Sequence, residues 1–212
     1  GQDACRKIAI LASIISGKNV EFEKIYTEGI TRVTKEDMAY ARKMGMTVKL
    51  LAQCRRDGEK LAAFVSPFLL KSSHPLYSVN GVFNAVFVKG NMLGDAMFYG
   101  SGAGKLPTAS AVVADIIAAA KNPDKDIMNF WSREELKLES REEIRRRFFV
   151  RAEGEPRNLE GKIQAEFGNC RFVTVEGLDG EFGFVTPVMS EGDFAEKAGN
   201  CPWILHMIRV EE

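Results

Sequence analysis

Residues 47–66 read TVKLLAQCRRDGEKLAAFVS, in which two β-prone segments flank the dipeptide Asp57-Gly58. Asp-Gly between two such segments is a strong short-range signal for a two-residue β-hairpin turn, because both residues tolerate the positive φ that the turn requires. The second segment runs from Lys60 to Ser66 and stops before Pro67, which cannot donate a backbone hydrogen bond. The stretch therefore predicts an antiparallel hairpin.

Two helices are predicted on the N-terminal side of this hairpin. Apolar residues recur at helical spacing over residues 4–16, where Asp3 is expected to cap the start and Gly17 to close the end. Thr34 with Asp37 three residues later has the pattern of a capping box and predicts the start of the second helix.

A second hairpin and a further helix are predicted on the C-terminal side. The β-prone runs 82–89 and 92–99 are joined by Gly90-Asn91. Pro107 stands at the start of an Ala- and Ile-rich helix over residues 108–120, which has little polar surface and therefore requires burial on most sides. Aromatic residues that alternate along the hairpin are expected in the core: Phe83, Phe87 and Phe98.

The C-terminal third predicts a small module of alternating strands and helices. Its order is βαββαβ, the order of the ferredoxin-like split βαβ fold. The predicted elements are strand 148–153, helix 159–167, strand 171–176, strand 181–188, helix 193–198 and strand 204–210. The sequence thus predicts an α+β chain in which a mixed β-sheet with helices on one face is followed by a ferredoxin-like βαββαβ domain.

Length and charge agree with two modules. The chain has 212 residues, of which 45% are hydrophobic and 27% charged, a composition typical of a globular protein. The net charge is zero, which gives no reason to expect nucleic acid as a partner. Residues 1–120 carry 15 basic and 10 acidic side chains, whereas residues 121–212 carry 14 and 19. The two parts therefore have charges of opposite sign.

Cysteine usage and hydropathy give expectations about location. Cys5, Cys54, Cys170 and Cys201 are scattered without metal-binding spacing, so no metal site is expected and a reducing, cytoplasmic setting fits. No charge-free stretch has the composition of a membrane span. Because an apolar helical pattern begins directly after residue 3, the chain is expected to be part of a longer protein.

Asp3 and Lys7 are the first candidates for chemistry, because they lie four residues apart on one face of the first predicted helix. The carboxylate can hold an ammonium group of a substrate, and the lysine can hold a substrate oxygen. An ordinary surface ion pair is the more common outcome of this spacing. Spacing alone leaves both interpretations open.

The glycine-rich turn at residues 100–104 is the second candidate. It follows a strand and precedes a helix, where backbone N–H groups can meet a phosphate, but Lys105 stands where a dinucleotide fingerprint needs its third glycine. The alternative interpretation is that these glycines only permit tight packing of the chain. His74, in a predicted bend, and His206, in the last strand, carry no predicted function, and the Arg145–Arg147 run is interpreted as a solvated, salt-paired face.

Several ordered motifs resemble the homoserine dehydrogenase family. Residues 1–12, GQDACRKIAILA, are similar to the family's catalytic-helix pattern G-x-D-x-x-x-K-x-x-I-L-A. The similarity extends to about residue 120. The further motifs, in order, are Glu28-Gly29-Ile30, residues 48–52 (VKLLA), His74-Pro75-Leu76, Asn84-Ala85-Val86, residues 97–104 (MFYGSGAG) and residues 107–115 (PTASAVVAD).

The resemblance implies NAD(P)-dependent interconversion of L-homoserine and L-aspartate 4-semialdehyde, a step toward threonine, methionine and isoleucine. It implies that Lys7 acts in proton transfer at the substrate oxygen and that Asp3 holds the substrate amino group. The residues implied to approach the cofactor are Gly100, Gly102, Gly104 and Thr108. The family's N-terminal Rossmann domain has no counterpart here, so no cofactor is expected on this chain and no activity is expected from it alone.

Residues 145–212 resemble the ACT domain that many members of the family carry. The resemblance implies a catalytic and dimerisation part at 1–121 and a regulatory part at 145–212, with the polar segment 122–144 as the linker between them. A homodimer is expected because the strands and helix 108–120 are apolar, and neither charge nor hydropathy predicts a nucleic-acid or membrane partner. A threonine effector is implied at the ACT-like domain, but Arg157 and Asn158 depart from its ligand-loop pattern, so we expect weak or absent binding. The alternative function is an amino-acid-sensing and dimerisation module without catalysis.

Overall fold

The computed structural model describes residues 1–125 and 131–211, which form a mixed α+β structure as predicted. Five helices are described, with single turns of 3₁₀-helix at Phe22–Lys24 and Arg141–Glu143. The helices are α1 Gln2–Ser16, α2 Lys35–Lys43, α3 Lys105–Lys121, α4 Pro156–Phe167 and α5 Glu191–Gly199.

Twelve strands are described, and most of them belong to one sheet. The N-terminal strands are β1 Lys18–Asn19, β2 Tyr26–Thr27, β3 Met46–Asp57, β4 Lys60–Lys71, β5 Phe83–Gly90 and β6 Gly94–Ser101. The C-terminal strands are β7 Ser132–Glu135, β8 Arg145–Glu153, β9 Arg171–Val173, β10 Glu181–Val185, β11 Met189–Ser190 and β12 Ile204–Glu211.

The predicted central hairpin is present and is longer than predicted. β3 and β4 pair in antiparallel register from Met46 with Lys71 to Asp57 with Lys60, so the loop is Gly58-Glu59. β4 does not stop at Pro67, contrary to the prediction. β2 pairs with β4 at residues 64–65 and β12 pairs with it at residues 68–70, so Pro67 stands between the two pairings, where its missing N–H is tolerated.

The βαββαβ order predicted for the C-terminal third is present, with the short β11 added. Its four main strands lie in the order β12-β8-β10-β9, and each is antiparallel to its neighbours. Side chains on alternate positions of β8 reach two different cores: Phe148 packs in a cluster with α4 and α5, whereas Phe149 contacts Tyr40 of α2. This alternation follows the two-residue period of a strand.

The two predicted modules share one sheet. β12, the last strand of the C-terminal module, pairs in parallel with β4 and so joins the two halves into an eight-stranded sheet. Residues 131–144, within the predicted linker, also contribute, since β7 pairs with β1 and Leu136 and Leu138 pack against the core under α1. The described residues of 1–71 and 131–211 thus belong to one compact unit. The predicted boundaries at 121 and 145 stay predictions.

Residues 72–125 belong to the second compact unit. It contains the second predicted hairpin, with β5 and β6 paired antiparallel around a three-residue loop at residues 91–93, and helix α3. The prediction that its phenylalanines are core residues is wrong: Phe83 and Phe98 are 43% and 69% exposed, and Phe87 is half-buried. Among the described residues, β5 and β6 form a sheet of their own and α3 contains no buried residue. Alternation along a strand shows which side chains share a face of the sheet, and not whether a second layer covers that face.

Candidate functional site

Helix α1 carries the first predicted site residues. Its buried face, which includes Cys5, Ile8 and Ala12, packs in one core cluster with residues of β4. Gly17 ends the helix in the left-handed conformation with φ of 69°, as predicted. The predicted capping role of Asp3 is wrong: the N-cap is Gly1 and Asp3 lies in the first turn, because the helix begins two residues before the apolar pattern.

Asp3 and Lys7 lie together on the solvent side of α1. Lys7 Nζ is 2.8 Å from Asp3 Oδ2, and the two side chains are 83% and 69% exposed. An exposed i,i+4 pair contributes little to stability, so its strength is no argument for function. The geometry places a carboxylate and an ammonium within one substrate's length of each other. Their assignment as substrate-binding and catalytic residues stays a prediction.

The start of α1 lies against the backbone of residues 27–29. A Cβ on Gly1 would lie 3.0 Å from Thr27 Cγ2 and 3.3 Å from the carbonyl oxygen of Glu28. A Cβ on Gly29 would lie 3.2 Å from the Gly1 nitrogen. Glycine at both positions therefore permits the first residue of the helix to approach this segment closely.

The glycine-rich turn lies in the second compact unit, at the junction of β6 and α3. Gly104 is the N-cap of α3 with φ of 111°, and the Thr108 N–H donates to its carbonyl at 3.2 Å. Gly100, Gly102, Gly104 and Thr108 are all exposed. Open backbone at a helix N-terminus suits an anionic group, and no atom lies within 4 Å of a Cβ built on Gly100. The cofactor role of these four residues stays a prediction.

A buried ionic cluster, which the sequence pattern did not predict, surrounds Asp37. This fully buried carboxylate accepts hydrogen bonds from the Thr34 N–H at 2.8 Å, from Arg151 at 3.0 Å and from His206 Nδ1 at 2.8 Å. Arg151 also donates to Glu181 at 2.6 Å. The Thr34–Asp37 capping box was recognisable in the sequence and is confirmed, but the box by itself gives no sign of the partners on β8 and β12.

The pKa of Asp37 follows from these contacts. Burial alone would raise it, but the hydrogen bonds from His206, Thr34 and Arg151 outweigh burial and hold the pKa below its usual value. An ionised carboxylate can only accept, so Nδ1 of His206 carries the proton in this contact. His206 therefore joins β12 to α2 and is a structural residue of the described unit.

A second buried cluster, also missed, surrounds Arg209 on β12. Its guanidinium donates to both carboxylate oxygens of Glu191, at 2.6 and 2.7 Å, to Glu28 at 2.7 Å and to the Ser66 hydroxyl at 2.8 Å. Burial opposes the charge of Arg209, but the hydrogen bonds that it donates to Glu191 and Glu28 raise its pKa. Burial alone would raise the pKa of Glu28, but the hydrogen bonds from Arg209 and Arg32 outweigh burial and hold that pKa below its usual value.

The Arg145–Arg147 run is not the uniformly solvated face that the sequence suggested. Arg146 is 10% exposed in its side chain, lies 4.4 Å from the Phe64 ring centroid and is 3.2 Å from Glu191. Burial lowers the pKa of Arg146 to about 10. The run lies on β8, where alternate side chains point to opposite faces of the sheet, so Arg146 faces the core.

The described residues were also compared with the requirements of a metal site and of a membrane-spanning helix. Among residues 1–125 and 131–211, no group of three or more His, Cys, Asp or Glu side chains is arranged to hold a metal ion. Within the same ranges, no helix has the length and apolar content needed to cross a bilayer. His74 accepts a hydrogen bond from the Leu76 N–H at 3.1 Å, in keeping with the predicted bend.

Comparison with known proteins gives a consistent family. The family model for homoserine dehydrogenase matches residues 1–117. The homoserine dehydrogenase of Synechocystis is 39% identical over 215 residues, which cover 92% of this chain and 49% of that protein. The homoserine dehydrogenase of Bacillus subtilis is 46% identical over 122 residues, 58% of this chain and 28% of that protein.

Solved structures extend the similarity to nearly the whole chain. A homoserine dehydrogenase from Thiobacillus denitrificans is similar with a TM-score of 0.85 and 28% identity, covering 99% of this chain and 53% of that one. The homoserine dehydrogenase of S. aureus at pH 7.0 is similar with a TM-score of 0.76 and 27% identity, covering 99% of this chain and 53% of that one. The chain thus spans about half the length, or less, of the relatives it matches.

Proposed function

The chain belongs to the homoserine dehydrogenase family, and we propose that it supplies the substrate-binding part and the C-terminal module of an NAD(P)-dependent homoserine dehydrogenase. The observation that carries the proposal is the Asp3–Lys7 pair, 2.8 Å apart on the exposed face of α1 and inside the matched region. The reaction is the interconversion of L-homoserine and L-aspartate 4-semialdehyde, in the biosynthesis of threonine, methionine and isoleucine.

The two side chains of α1 have separate roles in this proposal. The carboxylate of Asp3 binds the ammonium group of the amino-acid substrate. Lys7 contacts the oxygen on C4: it donates a proton to that oxygen when the aldehyde is reduced and accepts the hydroxyl proton when homoserine is oxidised. A positioned ammonium also stabilises negative charge that develops on the oxygen in the transition state.

The cofactor is proposed to approach the glycine-rich turn. When bound, its nicotinamide supplies or accepts the hydride at C4. The open backbone at Gly100 and the N-terminus of α3 suit the anionic part of such a cofactor. We expect the exposed apolar face of α3, with Val112, Val113, Ile116 and Ile117, to pack against the nucleotide-binding domain of a complete enzyme. The 212-residue chain alone is expected to be inactive.

The test of the catalytic assignment is Lys7→Ala in the full-length enzyme. We expect kcat/KM for homoserine to fall by several orders of magnitude, because the proton-transfer group is lost. Asp3→Asn is expected chiefly to raise KM for homoserine. Lys18→Ala, which removes an exposed lysine paired with Glu134 just beyond the same helix, is the matched control and should stay near the unaltered rate. A near-normal kcat for Lys7→Ala contradicts the proposal.

A homodimer is proposed from the exposed apolar residues of the second unit. Val86, Val88, Met97 and Phe98 are each 38% to 69% exposed on β5 and β6, a pattern typical of an interaction surface. A cytoplasmic location is proposed as well, since all four cysteines are free thiols. Light scattering should show twice the chain mass at micromolar concentration, and a purely monomeric chain would overturn the dimer.

Amino-acid sensing by the C-terminal module is the second candidate function. The βαββαβ order favours an ACT-like assignment, and Arg157 and Asn158 lie in the first turn of α4, where the ACT pattern has its ligand loop. We expect calorimetry with threonine to give weak or no heat. Binding at micromolar threonine would favour the sensing function.

A further inference from the structure

Arg209 connects the C-terminal module to two segments of the N-terminal half and also contacts α5 of its own module. It lies on β12, is 2% exposed, and contacts Glu191 of α5, Ser66 of β4 and Glu28 after β2. The fork of a guanidinium can satisfy these partners simultaneously, which a lysine ammonium cannot do with the same geometry. Removal of any one partner leaves a buried charge without its full complement of hydrogen bonds.

The backbone of Glu28 lies beside the start of α1. Its N–H donates to the Val65 carbonyl at 2.8 Å, which ties its backbone to β4. Its own carbonyl oxygen would be 3.3 Å from a Cβ on Gly1, the N-cap of α1. The Glu28 side chain is therefore held by the C-terminal module while its backbone lies next to Gly1, the N-cap of α1.

The start of α1 sets the position of Asp3 and Lys7, because both lie in the first two turns. The Cys5 N–H donates to the Gly1 carbonyl at 2.9 Å, so the helical ladder begins at Gly1. We expect a displacement of residues 27–29 to shift both side chains. Displacements near 1 Å of groups that position a substrate can cost about a hundredfold in rate.

We propose that Arg209 is a positioning residue that couples the C-terminal βαββαβ module, through Glu28, to the Asp3–Lys7 end of α1. The coupling runs through contiguous packed and hydrogen-bonded groups, which is the physical requirement for such a link. Its catalytic consequence rests on the function proposed above. The structural link itself does not.

Arg151 offers a matched control within the same sheet. It is also a buried guanidinium, 6% exposed, and it also joins the C-terminal module to the N-terminal half. Its partners are Asp37 and Thr34 at the start of α2, not the segment against α1. Loss of Arg151 should therefore lower stability without moving Asp3 and Lys7.

The kinetic test compares Arg209→Lys and Glu28→Gln with Arg151→Lys in the full-length enzyme, at a temperature where all three are folded. The first two variants should lower kcat/KM for homoserine on the order of tenfold, with a higher KM for homoserine and an unchanged KM for the cofactor. Arg151→Lys should stay within about twofold. A merely structural role would reduce the active fraction and leave KM unaltered. Equal losses in all three variants, or none in the first two, overturn the proposal.

Hydrogen exchange on the 212-residue chain tests the link without any activity. The Cys5 amide should exchange faster in Arg209→Lys and Glu28→Gln than in Arg151→Lys, after correction for global stability. Equal exchange in the three variants overturns the link. If Arg209→Lys does not fold, Glu28→Gln decides the result by itself. A full-length enzyme that does not oxidise homoserine refutes the proposed function, while the exchange result still decides the coupling.

Discussion

The two hairpins of this chain have similar sequence signals and different environments. β3–β4 and β5–β6 are both apolar, antiparallel and joined by short loops that contain or adjoin a glycine. Residues 61–70 of β4 are all buried. β4 lies inside the sheet, between β3 and the strands β2 and β12, and its residues Leu61, Ala63 and Val65 pack in one core cluster with α1. The β5–β6 pair forms a sheet of its own, with Phe98 69% exposed. Local sequence thus determines pairing, and the neighbours determine burial.

The largest effect is expected from truncating matched aromatic side chains in the two hairpins. Phe68→Ala, at a fully buried position of β4, should lower the free energy of unfolding by about 3–5 kcal/mol through lost burial and a cavity. Phe98→Ala should change it by less than about 0.5 kcal/mol. Urea unfolding of the 212-residue chain measures both.

Equal losses for the two phenylalanine variants would show that the β5–β6 hairpin is buried in solution. The measurement should be repeated over a range of chain concentrations. A Phe98→Ala effect that grows with concentration would place this side chain in an interface between copies.

A smaller effect is expected from adding one methyl group to matched glycines. A Cβ on Gly183 in β10 would lie 2.6 Å from Phe149 Cε2 and 3.1 Å from Tyr40 Cδ1, whereas a Cβ on Gly100 in β6 would meet nothing within 4 Å. Gly183→Ala should therefore cost about 1–3 kcal/mol through overpacking. Thermal unfolding followed by circular dichroism should show a lowered Tm for Gly183→Ala and a nearly unchanged one for Gly100→Ala. The reverse order would contradict the packing described for β10.

The smallest effect is expected from pH, and it concerns the buried sheet. The pKa values of Asp37 and Glu28 are lowered from 3.8 and 4.5, respectively. A lowered pKa in the folded chain means that the stabilisation is complete above the usual pKa and is lost as pH falls through the lowered value. The urea midpoint should therefore be flat from pH 7 to about 5 and fall below about pH 4.5.

Two variants separate the contributions to this acid loss. Asp37→Asn should reduce the fall of the urea midpoint at low pH, since the carboxylate that must be protonated is absent. Glu59→Gln, in the exposed loop between β3 and β4, is the control and should leave the acid-induced fall of the urea midpoint in place. A decline that is unchanged in Asp37→Asn would show that the cluster around this residue does not carry the acid sensitivity.

Much of the fold could be predicted because its signals are local. The Thr34–Asp37 box, the Gly17 helix end and the βαββαβ order each depend on residues close in sequence, and each is present. The predicted end of β4 at Pro67 failed because the tolerance of a proline depends on which strands lie beside it. The phenylalanines of β5 and β6 were misassigned because alternation predicts a face of a sheet and not what covers that face.

The functional residues also fall into those that local sequence could predict and those that it could not. The spacing of Asp3 and Lys7 indicated that they lie together, since four residues make one helical turn. Nothing in the spacing of Glu28, Ser66 and Arg209 indicated a cluster, because the three residues are up to 181 positions apart and meet only when β12 pairs with β4.

The sequence by itself determined the helices, the two hairpins, the order of the C-terminal module and the Asp3–Lys7 pair, because each depends on backbone preferences and side-chain periods within a few residues. Only the tertiary structure decided that the two halves share one sheet, that Arg151 and Arg209 are buried between them, and that one hairpin is covered while the other is exposed. These features depend on which distant segments come into contact, and burial and ion pairing are free energies of contact that no single segment contains.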